Sequence, residues 1–286
     1  MEATFLPLKQ YELDAAIIFS DILLPLRAMG ASVEFGEEGP VLGAPQNEAE
    51  LKKLKRNFDP KEGTPTILKA LSELRKALPK EKAVLGFSGA PFTLLVYLME
   101  GKVSKDLGKV KRWLMEQPQL MHETLNGLAE MTADYLEAQV DAGADAVQMF
   151  DTWASVLSPQ DYEEFALPYA RKVLGHVTAP SVYYINGCAG ILEKASSAGA
   201  QCLSIDWKID LQEARRRVPQ VTALQGNLDP YALHLPKSIL RDRVLKMMEG
   251  YGRGPGHIVN LGHGIMPSAP EDSLKVMIEA VHEFKM

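Results

Sequence analysis

Seven short apolar runs, separated by amphipathic stretches of helical period, limit the possible folds of this chain more than any other feature. The first lies in Ala16-Ile17-Ile18-Phe19-Ser20-Asp21-Ile22-Leu23-Leu24-Pro25, where an apolar run carries one acid at its far end and meets a proline that cannot continue a strand ladder. The others fall at 83–88, 146–150, 181–185, 202–206, 222–225 and 257–261. Between them, helical patterns occupy 119–142, 159–175, 189–198, 210–217, 236–249 and 269–284. Strands apolar on both faces and alternating with helices predict a parallel sheet covered by helices. Residues 3–12 read as an opening helix, 33–35 and 40–42 as a short hairpin, and 46–57 and 64–78 as polar helices.

Two closures suit such a series. A (β/α)8 barrel needs one strand more than the seven counted, whereas an open doubly wound sheet usually carries a phosphate-binding glycine loop after its first strand. No such loop is present there. The glycine-rich run at 250–256 follows a helix and precedes a strand, the reverse of the order a phosphate cradle requires. With 286 residues and no low-complexity linker, a single domain over 1–286 is expected.

Composition narrows the function classes. A net charge of −6 argues against a nucleic-acid partner, and an anionic ligand would need a local group of Lys or Arg. No apolar run reaches the ~18 residues of a membrane helix. The N-terminus carries Glu2 and Asp14 in place of a basic signal-peptide head, so a cytoplasmic protein is expected. The two cysteines, Cys188 and Cys202, stand in no metal-ligand spacing, so no metal site is expected.

In a parallel barrel the C-terminal strand ends share one mouth, so candidate site residues are sought there. The strand ends supply Asp21; Gly86-Phe87-Ser88-Gly89-Ala90-Pro91, opening a helix with Tyr97; and Phe150-Asp151-Thr152-Trp153. They also supply Tyr183, Tyr184 and Asn186; Asp206-Trp207; Gln225-Gly226-Asn227-Leu228-Asp229-Pro230; and Asn260-Leu261-Gly262-His263-Gly264. Each group has a plain structural role to set beside the functional one. Asp21, Asp206 and Asp229 suit caps or turns, Tyr97 a core tyrosine, and His263 a hydrogen-bonded structural histidine. Gly86-x-Ser88 lacks the closing glycine of a nucleophile elbow, because Ala90 stands there. Together the endings describe a deep site with aromatic walls and few charges.

Taken in order, Phe19-Ser20-Asp21-Ile22-Leu23, Gly86-Phe87-Ser88-Gly89-Ala90-Pro91-Phe92-Thr93-Leu94, Tyr97 with Glu100-Gly101, and Phe150-Asp151-Thr152-Trp153-Ala154 resemble the signatures of the uroporphyrinogen decarboxylase family. So do Gln225-Gly226-Asn227-Leu228-Asp229-Pro230 and Asn260-Leu261-Gly262-His263-Gly264. The resemblance implies a (β/α)8 barrel of TIM type without metal or organic cofactor, commonly a homodimer with facing mouths, acting on a tetrapyrrole. It implies loss of carbon dioxide from the four acetate side chains of uroporphyrinogen to give coproporphyrinogen in haem biosynthesis. Protonation of a pyrrole ring carbon creates the electron sink that this reaction needs. By the same resemblance Asp21 accepts the pyrrole N–H groups and stabilises the cation, while Tyr97 and His263 orient the reacting edge. Phe19 and Phe150 press on the macrocycle faces, and Thr152 stands where the family has a small hydroxyl residue.

One departure accompanies the match. The family's stretch similar to Arg-Gln-Ala-Gly-Arg-Tyr, which precedes the Phe-Ser-Asp strand and supplies the first barrel strand and carboxylate-binding arginines, has no counterpart here. The chain is therefore expected to lack the first strand and to show little decarboxylase activity by itself. Arg27, close after Asp21, is a candidate replacement cation, with a plain surface position as the simpler expectation. Two alternatives share the fold: an inactive tetrapyrrole-binding barrel, and a zinc methyltransferase, whose His-x-Cys ligand pair would fall where this chain has Tyr184-Ile185-Asn186.

Overall fold

The computed structural model describes residues 2–18, 20–36, 39–45, 47–54, 58–101 and 107–284. Nine strands are present among them: β1 Ala15–Ile17, β2 Val33–Gly36, β3 Gly39–Leu42, β4 Ala83–Gly89, β5 Ala146–Asp151, β6 Ser181–Ile185, β7 Cys202–Ile205, β8 Ala223–Leu228 and β9 His257–Leu261. β2 and β3 form the expected antiparallel hairpin, with Val33 opposite Leu42. The other seven make one parallel sheet in the order β1-β4-β5-β6-β7-β8-β9. Each sheet strand thus lies beside the next one in the chain, joined by helical crossovers that cover its outer face.

The sheet is curled. Gln225 on β8 donates from Nε2 to Ser204 Oγ on β7 at 2.9 Å and to Gln148 Oε1 on β5 at 3.2 Å, so side chains from strands three places apart meet on the inner face. Tyr184 on β6 reaches further, its hydroxyl donating to the carbonyl of Gly262 just past β9 at 3.2 Å. On the outside, Gln10 at the end of the first helix donates to Glu271 at 2.9 Å, and His282 lies 3.4 Å from Glu12. The first and last helical segments therefore adjoin, although β1 and β9 are not paired with each other.

The opening run departs from the sequence reading in length. β1 covers three residues and ends before Asp21, because the Asp21 side chain accepts from Leu23 N at 2.8 Å and Pro25 starts the short helix Leu24–Ala28. That short strand leaves β4 without a ladder partner beyond Leu85 on the β1 side. Gln139, on the long helix Pro118–Asp141, takes over: its Oε1 accepts from Phe87 N and its Nε2 donates to Phe87 O, both at 2.9 Å. Gly86 makes the approach possible, since a Cβ there would lie 2.9 Å from Gln139 Oε1. The helical pattern at 159–175 is two helices, Pro159–Phe165 and Leu167–His176, because Pro168 has no N–H to continue the first ladder.

Two arginines hold the opposite, N-terminal ends of the strands. Arg75 donates to the carbonyls of Leu78, Pro79 and Lys82 ahead of β4, and Arg215 to those of Val218, Pro219 and Thr222 ahead of β8. Their terminal guanidinium nitrogens are engaged at αβ turns, far along the strands from the mouth. Among the described residues no helix is long and apolar enough to cross a membrane.

Candidate active site

The C-terminal strand ends assemble a connected run of aromatic side chains. Phe87 meets Phe150 edge to face at a centroid distance of 6.0 Å, and Phe150 meets Tyr184 at 5.6 Å. Tyr184 meets His263 at 6.3 Å, His263 meets Trp207 at 6.2 Å, and Lys208 Nζ lies 5.3 Å over the Trp207 ring. This run links β4, β5, β6, β7 and the turn after β9. A second pair, Tyr97 and Trp153, stands edge to face at 6.3 Å beside Thr152.

The sequence candidates are distributed unequally over this frame. Phe150 and His263 belong to the aromatic run, one half-buried and the other exposed. Tyr97 and Thr152 are half-buried and share the second cluster. Asp21 makes none of these ring contacts; the neighbouring Ile22 lies against the end of β4, where its Cδ1 would be 3.2 Å from a Cβ built on Gly89. Phe19 lies outside the described residues. Arg27 is exposed and lines a cavity of about 450 Å³ with Phe58, Asp59 and Glu62, beside two acids of its own chain.

Beneath the Tyr97 cluster lies a buried network that no single sequence signature reveals. Asp151, 1% exposed, accepts from Thr93 Oγ1 at 2.8 Å and from Tyr183 OH at 2.7 Å. The Thr93 hydroxyl oxygen also accepts from Trp153 N at 3.2 Å, and the hydroxyls of Tyr183 and Tyr162 pair at 3.2 Å. Thr93 and Tyr97 are one turn apart on the helix Pro91–Glu100, so Asp151 ties that helix and the 152–153 turn together. The signal in the sequence was the acid directly before Thr152, the one charged residue at the end of the run 146–151.

Burial pushes the Asp151 carboxyl up to about 6, against the hydrogen bonds from Tyr183 and Thr93 that hold it down. In the unfolded chain the same group titrates near 4, so from about pH 4 to 6 the folded state keeps a proton that the unfolded state has lost. This contribution to stability is therefore present at low pH and falls as pH rises through that window, by about 3 kcal/mol in all. The Asp151→Asn variant is expected to lack it. Urea midpoints of both proteins at pH 4 and pH 7 check this, and a difference between them that does not change with pH would count against it.

Three further polar atoms near the mouth, Trp153 Nε1, Asn186 Oδ1 and Asp206 Oδ2, are buried without a hydrogen-bond partner among the described residues. They follow β5, β6 and β7 respectively, and such groups are costly to leave unpaired. Asp206 Oδ1 accepts from Cys188 N at 3.2 Å and faces its thiol at 3.4 Å; burial foremost, and the Asp206 charge next, push that thiol up to about 12. Cys188 is thus an inert buried thiol. No cluster of three or more His, Cys, Asp or Glu that could hold a metal occurs among the described residues.

The uroporphyrinogen decarboxylase family matches residues 1–284. The chain is 41% identical over 288 residues to a uroporphyrinogen decarboxylase of Carboxydothermus hydrogenoformans, covering 99% of this chain and 82% of that protein. It is 39% identical to a namesake from Microcystis aeruginosa, covering 99% and 83%. Among solved structures it is similar to a methyltransferase from Methanosarcina mazei, with a TM-score of 0.86 at 21% identity over 98% of this chain and 83% of that one. At that identity the likeness speaks to the fold.

Proposed function

The chain belongs to the uroporphyrinogen decarboxylase family, and from that premise we propose that its strand-end site binds uroporphyrinogen and removes the acetate carboxyl groups as carbon dioxide, giving coproporphyrinogen. The family match over residues 1–284 carries this reading. The aromatic run from Phe87 to Trp207 supports it, since a continuous series of edge-on and tilted rings offers a broad aromatic wall to a macrocycle.

The chemistry follows from the substrate. A proton added to a pyrrole ring carbon makes the ring cationic; the electrons of the bond to the departing carboxylate then flow into the ring. A second proton, delivered to the exocyclic carbon, completes the methyl group as the ring proton is lost. Asp21 is assigned the electrostatic role. One of its carboxylate oxygens accepts from Leu23 N, and the carboxylate has no other hydrogen bond among the described residues, leaving it free to accept pyrrole N–H groups and to stabilise the cation. Tyr97 and His263, a phenol and an imidazole on the two clusters, are assigned to the reacting edge. Thr152 offers a hydroxyl to a carboxylate, and Phe150 and Phe19 are assigned to the macrocycle faces. The mechanism asks for no metal or organic cofactor.

We further assign residues 1–286 to one (β/α)8 barrel domain, with the place of its first strand between β1 and β9. Two observations support that place: the exposed Ile258 and Asn260 on β9, and the contact between the first and last helical segments. In this reading two copies of the chain assemble as a homodimer with facing mouths, supported by Tyr231 and Ile265, exposed apolar residues that follow β8 and β9.

The test is conversion of uroporphyrinogen III to coproporphyrinogen III, followed by chromatography of the oxidised products. Slow turnover is expected from the chain by itself, and faster turnover with an arginine-bearing strand segment fused ahead of it. Absence of product from both would overturn the reading.

A further inference from the structure

A substrate with many carboxylates needs cations at the mouth, and the described residues directly after the sheet strands provide one in Lys208, on the turn after β7. Its ammonium makes no hydrogen bond among the described residues. It stands over the Trp207 ring at 5.3 Å and 3.8 Å from Asp206 Oδ2, beyond hydrogen-bonding reach of that carboxylate. Asp206 is fully buried and Lys208 about half exposed, so the lysine points its donors outward while its charge is held in place from below.

The turn that carries it is fixed. Asn227 Nδ2, from β8, donates both to Asp206 O at 2.9 Å and to Ile209 O at 2.6 Å, closing a clamp around residues 206–209. The Trp207 ring in turn meets His263 edge-on. Arg75 and Arg215 are committed to the other end of the strands, and Arg27 sits beside Asp59 and Glu62. A preorganised cation with free donors, next to the histidine assigned to the reacting edge, is the arrangement a carboxylate would seek.

We propose that Lys208 binds a carboxylate side chain of the tetrapyrrole next to His263. The proposal rests on the decarboxylase reading above. A neutral residue at 208 removes an ion pair but leaves the aromatic wall, so substrate binding weakens while the chemical step is retained. If Lys208 served only to neutralise Asp206, removing both charges together would restore binding.

The experiment titrates the wild-type chain and its variants with uroporphyrin, the stable oxidised form of the macrocycle, following quenching of tryptophan fluorescence. Lys208→Gln is expected to raise Kd about tenfold, Lys208→Arg to restore it to within about twofold, and the double variant Asp206→Asn with Lys208→Gln to stay weak. In turnover the loss should fall on KM and spare kcat. Unchanged uroporphyrin affinity in Lys208→Gln, or recovery in the double variant, would overturn the proposal, as would a wild type that does not bind uroporphyrin. Binding by the wild type with no product from either the chain itself or the arginine-bearing fusion would overturn the decarboxylase reading instead, with the role of Lys208 still read from Kd.

Discussion

Asp21→Asn is expected to lower kcat by about 10²–10³-fold while leaving the fold intact. In the function proposed above, the carboxylate has two duties that this variant separates. Its side chain accepts from Leu23 N at 2.8 Å, which turns the chain out of β1 and into the helix Leu24–Ala28. An asparagine oxygen accepts the same bond, so the turn and the unfolding midpoint should stay close to the wild type. What the amide cannot supply is the negative charge that opposes the cation on a protonated pyrrole. Alanine at 21 should lose both, with a further cost of about 1 kcal/mol for the missing turn bond. Turnover of the asparagine variant at the wild-type rate would leave Asp21 as a turn residue alone and move the electrostatic role elsewhere.

The second large effect is expected at Gly262, from geometry and not from chemistry. A Cβ on this residue would lie 2.5 Å from Trp207 N and 3.1 Å from the carbonyl carbon of Asp206, both backbone atoms of the turn that Asn227 clamps. Gly262 N meanwhile donates to Leu228 O at 2.7 Å, and its carbonyl accepts from the Tyr184 hydroxyl. Neither side can move aside without breaking a bond. Gly262→Ala should therefore cost about 3 kcal/mol, the upper end for overpacking, and displace His263, Trp207 and Lys208 together. Urea unfolding and turnover measure the two halves. An alanine variant as stable and as active as the wild type would mean that the turn after β9 shifts freely.

Much of the architecture was legible because strand and helix periods are local properties. The runs at 83–88, 146–150, 181–185 and 257–261 became β4, β5, β6 and β9 within a residue or so, since most of their residues are apolar; β4, β5 and β6 are largely buried, whereas β9 keeps Ile258 and Asn260 exposed. The first run was read too long. Its apolar residues continue past Ile17 while its hydrogen bonds do not, and an apolar pattern records burial without recording which neighbour supplies the ladder. The break between Phe165 and Leu167 was missed for a similar reason, an amphipathic face continuing across a lost backbone bond.

The strand endings were legible in the sequence: Phe150 stands near the end of β5, Thr152 directly after it, Tyr97 on the helix that follows β4, and His263 just past β9. The sequence by itself therefore determined the order of elements, the residues delivered to the C-terminal ends of the strands, and membership of the family. Only the tertiary structure decided which of those residues support one another. Thr93 and Asp151 are 58 positions apart, and Tyr184 and Gly262 are 78 apart. Whether such pairs meet depends on the register between neighbouring strands and on the curl of the sheet, and these follow from the packing of whole helices against strands. The same is true of Asp206 and Lys208: two positions apart in the chain, one is buried and the other reaches solvent, a division set by the clamp from Asn227 on the next strand.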